Sequence, residues 1–126
     1  MQPLLLRIVI SEGEMMTEWV KVCSKSELPD DSGVGALVHG HQIALFYQAE
    51  LDRVFAIDNH DPVMDANVIC HGIIGDLKGQ WVVASPLLKQ HYNLETGQCL
   101  EKSELRLRVW PVRVCQDQIE VQWAGA

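Results

Sequence analysis

Apolar residues along this chain alternate with polar ones in short runs, and most runs end at glycine, proline, asparagine or aspartate. Alternation over four to eight positions marks strands with one face turned to a core. No segment keeps the three-to-four-residue spacing of a long amphipathic helix. Trp19 to Val22 reads as an early strand. Ser24 followed by Glu27 has the spacing of a capping pair, and Pro29 limits it to one helical turn. Pro29-Asp30-Asp31-Ser32-Gly33 is a loop by composition. Val34 to Val38 and Gln42 to Tyr47 pair through the turn His39-Gly40-His41, and Arg53 to Ile57 adds a strand that stops at Asp58-Asn59.

Asp65 to Gly72 carries a capping aspartate and a terminal glycine, which predicts one short helix. Ile73 to Leu77 and Gln80 to Ala84 form a hairpin around Lys78-Gly79. A second hairpin joins Gln90 to Leu94 with Gln98 to Leu100 through Glu95-Thr96-Gly97. Leu105, Leu107 and Val109 point inward while Arg106 and Arg108 point out. Pro111 then flips the phase, which turns Val112 and Val114 inward; Ile119, Val121 and Trp123 close the domain. About nine short strands and no long helix predict an all-β domain, a small barrel or sandwich. Residues 1–15 stand apart as an N-terminal extension with no clear period, and 16–126 form the single domain. Met15 or Met16 is the expected natural start; an edge strand through Ile8-Val9-Ile10 is the other reading of this segment.

At 126 residues the chain has room for one domain that folds without staples. Seventeen acidic residues against ten basic ones give a formal charge of -7, which repels phosphate backbones and anionic membrane surfaces. No apolar run reaches the roughly 18 residues of a membrane span. Neither nucleic acid nor membrane is an expected partner. Cys23, Cys70, Cys99 and Cys115 are separated by 46, 28 and 15 residues, so no C-x-x-C pair signals zinc or thiol redox chemistry. The opening residues lack a basic signal-peptide region, and Arg7 interrupts the early apolar run. Reduced thiols in a cytoplasm are the expectation.

Candidate chemistry is sparse. No phosphate-binding glycine loop, nucleophile elbow or H-E-x-x-H motif occurs. His39 and His41 flank one glycine and could share a face toward a metal, although a solvated turn explains them as well. Cys70 beside His71 reads as a buried thiol next to a helix-end histidine, and Cys99 and Cys115 as small core residues. No catalytic residue is assigned.

The stretch from Val54 to Leu100 is the informative one. It runs Val54-Phe55-Ala56-Ile57-Asp58-Asn59, then Gly72, then Trp81-Val82-Val83-Ala84-Ser85-Pro86, and ends Tyr92-Asn93-Leu94-Glu95-Thr96-Gly97. This framework resembles the Rieske iron–sulfur domain over nearly the whole chain. A Rieske cluster takes two thiolates and two imidazoles from a C-x-H and a C-x-x-H loop. Here His60 and Pro62 stand at the first pair of ligand positions, and Ser85 and Leu88 at the second, with 22 residues between the pairs. Proline and leucine offer no donor atom, and one histidine cannot hold two irons. The chain is therefore expected to carry no cluster, no other metal and no cofactor of its own.

The form Asp61-Pro62 after the strand, with Ala84-Ser85-Pro86-Leu87 and then Leu88-Lys89-Gln90, is similar to the small subunit of bacterial NAD(P)H-dependent assimilatory nitrite reductase. In its enterobacterial forms that subunit is a Rieske-like domain without the cluster. The resemblance implies a cytoplasmic, non-catalytic subunit working with a large subunit that carries flavin, a [4Fe–4S] cluster and sirohaem and reduces nitrite to ammonia with NADH. Its docking surface would be the former ligand tip, His60, Asp61, Pro62, Ser85, Pro86, Leu87 and Leu88, unless that tip has collapsed over its leucines. Other readings are a cluster-free binding module for another redox enzyme, a cluster-bearing ferredoxin, a β-barrel for a small ligand, and an enzyme with His60 as general base.

Overall fold

The computed structural model describes residues 5–8, 18–86 and 90–123. Strands β3 (Gly33–Val38), β4 (His41–Gln48) and β5 (Arg53–Asp58) form an antiparallel meander. The short β1 (Leu5–Ile8) adds in parallel to the outer edge of β3, and β11 (Val109–Trp110) pairs with β5, which completes a five-stranded sheet. A second sheet has the order β12 (Val112–Cys115), β13 (Gln118–Trp123), β2 (Glu18–Ser24). A third is built from β8 (Ile73–Leu77), β9 (Gln80–Ala84) and β10 (His91–Asn93), with β9 in the middle. Between β5 and β8 lies a two-strand ribbon, β6 (His60–Asp61) with β7 (Ala66–Asn67).

Two cores share the five-stranded sheet. Along β5, Val54 and Ala56 face one core and Phe55 and Ile57 the other, as the two-residue period of a strand requires. The first core packs Val38, Ile43 and Leu45 against Val20, Val22, Ile119, Val121 and Trp123 of the second sheet. The opposite core packs Ala44 and Phe46 against Ile69, Ile74, Val83, Tyr92, Leu94 and Leu107. Each large side chain buried this way contributes about 1.5–3 kcal/mol relative to exposure. Burial on both faces explains why Ile43-Ala44-Leu45-Phe46 is apolar without interruption.

Most of the predicted strands and the β3–β4, β8–β9 and Glu95-Thr96-Gly97 turns are present, but Gln98 to Leu100 and Leu105 to Arg108 form only the isolated bridges Tyr92 with Cys99 and Gln98 with Arg106. Ser24 and Glu27 do bracket a single 3-10 turn, Lys25–Glu27, with the Ser24 amide donating to Glu27 Oε1 at 2.9 Å. Among the described residues there are thirteen strands rather than nine, the surplus being mostly the two-residue pieces β6, β7 and β11 and the strand β1. The helix expected over Asp65 to Gly72 is not formed. It is replaced by β7 and a 3-10 turn, Ile69–His71, because Asn59 takes the amides that a helix would use. Ile69 N–H donates to the Asn59 carbonyl at 3.1 Å and Cys70 N–H to Asn59 Oδ1 at 2.7 Å. Cys70 is buried, as read, and His71 is exposed at the end of the 3-10 turn.

Two inward assignments also fail. Val114 is 44% exposed and Cys115 is exposed, since β12 is an edge strand and only Val112, at its start, reaches the first core. Nor does the phase flip at Pro111: alternation runs on through it, with Leu105, Leu107 and Val109 on one core and Trp110 and Val112 on the other, so the core changes and the phase does not. In the N-terminal extension the strand covers Leu5–Ile8, whereas Val9, Ile10, Met15 and Met16 lie outside the described residues. Gly33 marks a close approach. A Cβ there would collide with the Cys70 carbonyl and lie 2.6 Å from the Phe46 ring, so only glycine lets the 3-10 turn seat on β3.

Candidate functional site

Two loops meet at one end of the second core. The first leaves β5 as Asn59-His60-Asp61-Pro62, and the second leaves β9 as Ser85-Pro86. Asn59 anchors the first loop. Besides binding the amides of Ile69 and Cys70, it donates Nδ2–H to Gln42 Oε1 at 3.0 Å, which pins the loop base to β4. The ribbon of β6 and β7 then folds the loop back on itself.

Asp61 and Ser85 are the centre of the site. Asp61 is 0% exposed and Ser85 1%. Ser85 Oγ–H donates to Asp61 Oδ2, while Asp61 Oδ1 accepts the amides of Val63 at 2.8 Å and Met64 at 3.3 Å. The second loop is closed by the Ser85 amide donating to the Gln90 carbonyl at 2.8 Å. That bond continues the β9–β10 register, so Val83, Ser85, Gln90 and Tyr92 all turn to the same inner side. Tyr92 OH and Gln90 Oε1 are buried there without a hydrogen-bond partner among the described residues. Burial, and then the charge of nearby Asp61, push the Tyr92 hydroxyl up to about 12, so it stays a neutral donor at physiological pH.

The outer side of the tip is different. The His60 ring is half exposed and sits 3.2 Å from Asp65 and 3.3 Å from Asn67 Oδ1, and Pro62 and Val63 are exposed beside it. Pro86 is half-buried, and Leu87 and Leu88 lie outside the described residues. Of the seven residues expected to dock a partner, Asp61 and Ser85 must be corrected. Both are buried beneath the tip and touch each other, leaving no surface for a partner.

A [2Fe–2S] cluster does not fit these residues. His60 points to Asp65 and Asn67, Pro62 has no donor, and the Ser85 hydroxyl is already committed to Asp61. Among the described residues no three His, Cys, Asp or Glu side chains converge to hold a metal. His39 and His41 do not pair on a metal either; they go to separate carboxylates, His39 to Glu18 at 3.4 Å and His41 to Asp58 at 2.9 Å. Their rings lie against Trp123 and Trp110, which stack on each other 5.2 Å apart, and Asp58 also accepts the Trp110 indole N–H at 2.9 Å.

Sequence reasoning missed Asp61 as a cross-link, Asn59 as an anchor, and the Asp58–Trp110–His41 group. Asp61-Pro62 carried a usable signal. An aspartate before a turn commonly accepts the amides two and three residues on, as Asp61 does with Val63 and Met64.

Two loops set on a pair of shared-sheet cores define the class, a Rieske-type domain, and residues 18–122 match the family of Rieske-like [2Fe-2S] domains. Similarity goes further than the class. The chain is 35% identical over 107 residues to the nitrite reductase (NADH) small subunit of Salmonella typhimurium, covering 85% of this chain and 99% of that one. It matches a crystal structure from Mycobacterium tuberculosis, assigned as an NADH-dependent nitrite reductase small subunit, with a TM-score of 0.83 and 35% identity over 88% of this chain and 99% of that one. The chain belongs to the nitrite reductase small-subunit family. It is also 37% identical to part of the nitrite reductase [NAD(P)H] large subunit of Klebsiella oxytoca, where it spans 11% of the relative's length.

Proposed function

We propose that this chain is the non-catalytic small subunit of a cytoplasmic NADH-dependent nitrite reductase serving nitrate assimilation. Its partner is a large subunit that holds flavin, a [4Fe–4S] cluster and sirohaem and reduces nitrite to ammonia. The reading is supported above all by similarity across the full length of small-subunit relatives, 99% of the Salmonella chain. The Klebsiella large subunit, which contains a segment like this chain, supports the same pairing. With a ligand set that cannot hold two irons, the small subunit contributes by contact and carries no electrons itself. Its docking tip comprises the exposed His60, Pro62 and Val63 and the half-buried Pro86, together with Leu87 and Leu88, which lie outside the described residues.

The test is NADH-dependent nitrite reduction by the purified large subunit, with and without this chain. Addition is expected to raise the rate or to prolong the active lifetime, and a complex is expected on gel filtration. No complex and no change in either quantity would reject the proposal. Within the complex, Leu88→Asp is expected to weaken co-purification.

A further inference from the structure

We propose that the hydrogen bond between Asp61 and Ser85 does the loop-joining work that a metal cluster does in cluster-bearing domains of this fold, and that the pair positions the exposed tip. Among the described residues Asp61 is the one charged side chain that is fully buried, and it makes no ion pair with a described cation. Removing a carboxylate from water costs several kcal/mol even after a protein relaxes around it, so such a group persists only where donors converge on it. Three do: the Ser85 hydroxyl and the amides of Val63 and Met64.

The location gives the arrangement its meaning. Each loop is closed locally, the first by β6 with β7 and the second by the Ser85–Gln90 backbone bond. Neither closure ties one loop to the other. The side-chain bond between Asp61 and Ser85 does, across 24 residues of sequence. Ser85 stands at a former thiolate position, and Asp61 lies between two former ligand positions, His60 and Pro62. The same carboxylate then fixes the backbone of Val63 and Met64, which carries the exposed side of the tip. A pull on Ser85 is thus transmitted to residues it does not touch. Asp61 and Ser85 are positioning residues for Pro62 and Val63; this last step rests on the tip being the partner-facing surface.

Native-state amide exchange of the full chain tests the tie directly. In Ser85→Ala the amides of Val63 and Met64 are expected to exchange about tenfold faster or more, the scale of one lost hydrogen bond to a charged acceptor. Amides in β4 report whether the rest of the fold is intact. Asp61→Asn keeps an acceptor for both amides and an N–H donor for Ser85 Oγ, so its exchange is expected within about threefold of the parent, whereas Asp61→Ala matches or exceeds Ser85→Ala. Unchanged exchange at Val63 and Met64 in Ser85→Ala overturns the tie, as does Asp61→Asn behaving like Asp61→Ala. The positioning role is read from affinity for the large subunit, expected to fall about tenfold in Ser85→Ala and to be retained in Asp61→Asn. Faster exchange with unchanged affinity leaves the tie standing and rejects the tip as the docking surface.

Discussion

Replacing Asn59 by alanine removes two different things at once, and the structure allows each to be sized. The Asn59 side chain accepts the buried Cys70 amide at 2.7 Å and donates to Gln42 at 3.0 Å. In Asn59→Ala the Cys70 N–H keeps its burial and loses its acceptor, which costs about 1–3 kcal/mol; losing the ordinary amide–amide bond to Gln42 costs about 0.5–1.5 kcal/mol more. The combined loss is roughly 2–4 kcal/mol. For a domain of this size that lowers the melting temperature by roughly 8–16 °C. Gln42→Ala is the control, because it breaks the second bond and spares the first. Urea denaturation followed by tryptophan fluorescence gives both losses, and exchange at the Cys70 amide shows where each acts. Asn59→Ala should exceed Gln42→Ala by at least about 1 kcal/mol and alone should expose the Cys70 amide. Equal losses, or a Cys70 amide still protected in Asn59→Ala, would refute the argument that Asn59 displaces the expected helix by capturing its amides.

Three further outcomes follow from the site and its surroundings. Tyr92→Phe removes a buried hydroxyl that has no partner among the described residues, so stability should be unchanged or rise by up to about 1 kcal/mol, and a clear drop in urea midpoint would show that the hydroxyl is bonded. Glu27 accepts the Ser24 amide and hydroxyl, which hold its carboxyl below the usual range. A folded pKa below the unfolded one means stabilisation present above the unfolded value and lost as pH falls through the folded value, so Glu27→Gln should lower the melting temperature slightly at neutral pH, leave it nearly unaltered at the acid end, and thereby flatten the acid limb of the profile. Native alkylation followed by intact mass should modify Cys115, which is exposed. Cys23, pushed up to about 11 by burial and then by the charge of Glu27, and the buried Cys70 and Cys99 should react only on unfolding.

How legible each part was depended on whether a residue's role was local. Alternation placed the strands, and the turns at His39-Gly40 and Lys78-Gly79 were readable because both residues of each adopt positive φ, the geometry of a tight hairpin. Alternation gave the wrong sense to Val114 because a period of two separates faces without saying how far a core extends along an edge strand. Trp110 was obscured for the opposite reason: with a core on each face of β5 and β11, inward and outward lose their contrast. The helix expected at Asp65 to Gly72 failed because Asn59, up to eleven residues away, bonds the Cys70 amide. At the site, the identity of the lost ligand positions was visible in the motif, whereas the Asp61–Ser85 contact joins two segments that no local pattern connects.

That contact also bears on why the fold tolerates a ligand set with a proline, a serine and a leucine in it. The four former ligand positions lie beyond the ends of β5 and β9, and none of the four contributes a described side chain to either hydrophobic core. Binding two irons needs all four donors together, so a site with one imidazole has no partial cluster function to protect. What persists is a mechanical requirement, because two loops projecting from separate sheets splay unless something joins them. A thiolate position is well placed for that task, being aimed inward at the opposite loop, and a hydroxyl there needs only an acceptor across the gap. Asp61 supplies it from the position between the former ligands, where a side chain pointing between the loops meets the second one. The same backbone that would aim donors at a metal thus aims a hydroxyl at a carboxylate, and the tip keeps its shape with Asp61 and Ser85 inside and His60, Pro62 and Val63 outside.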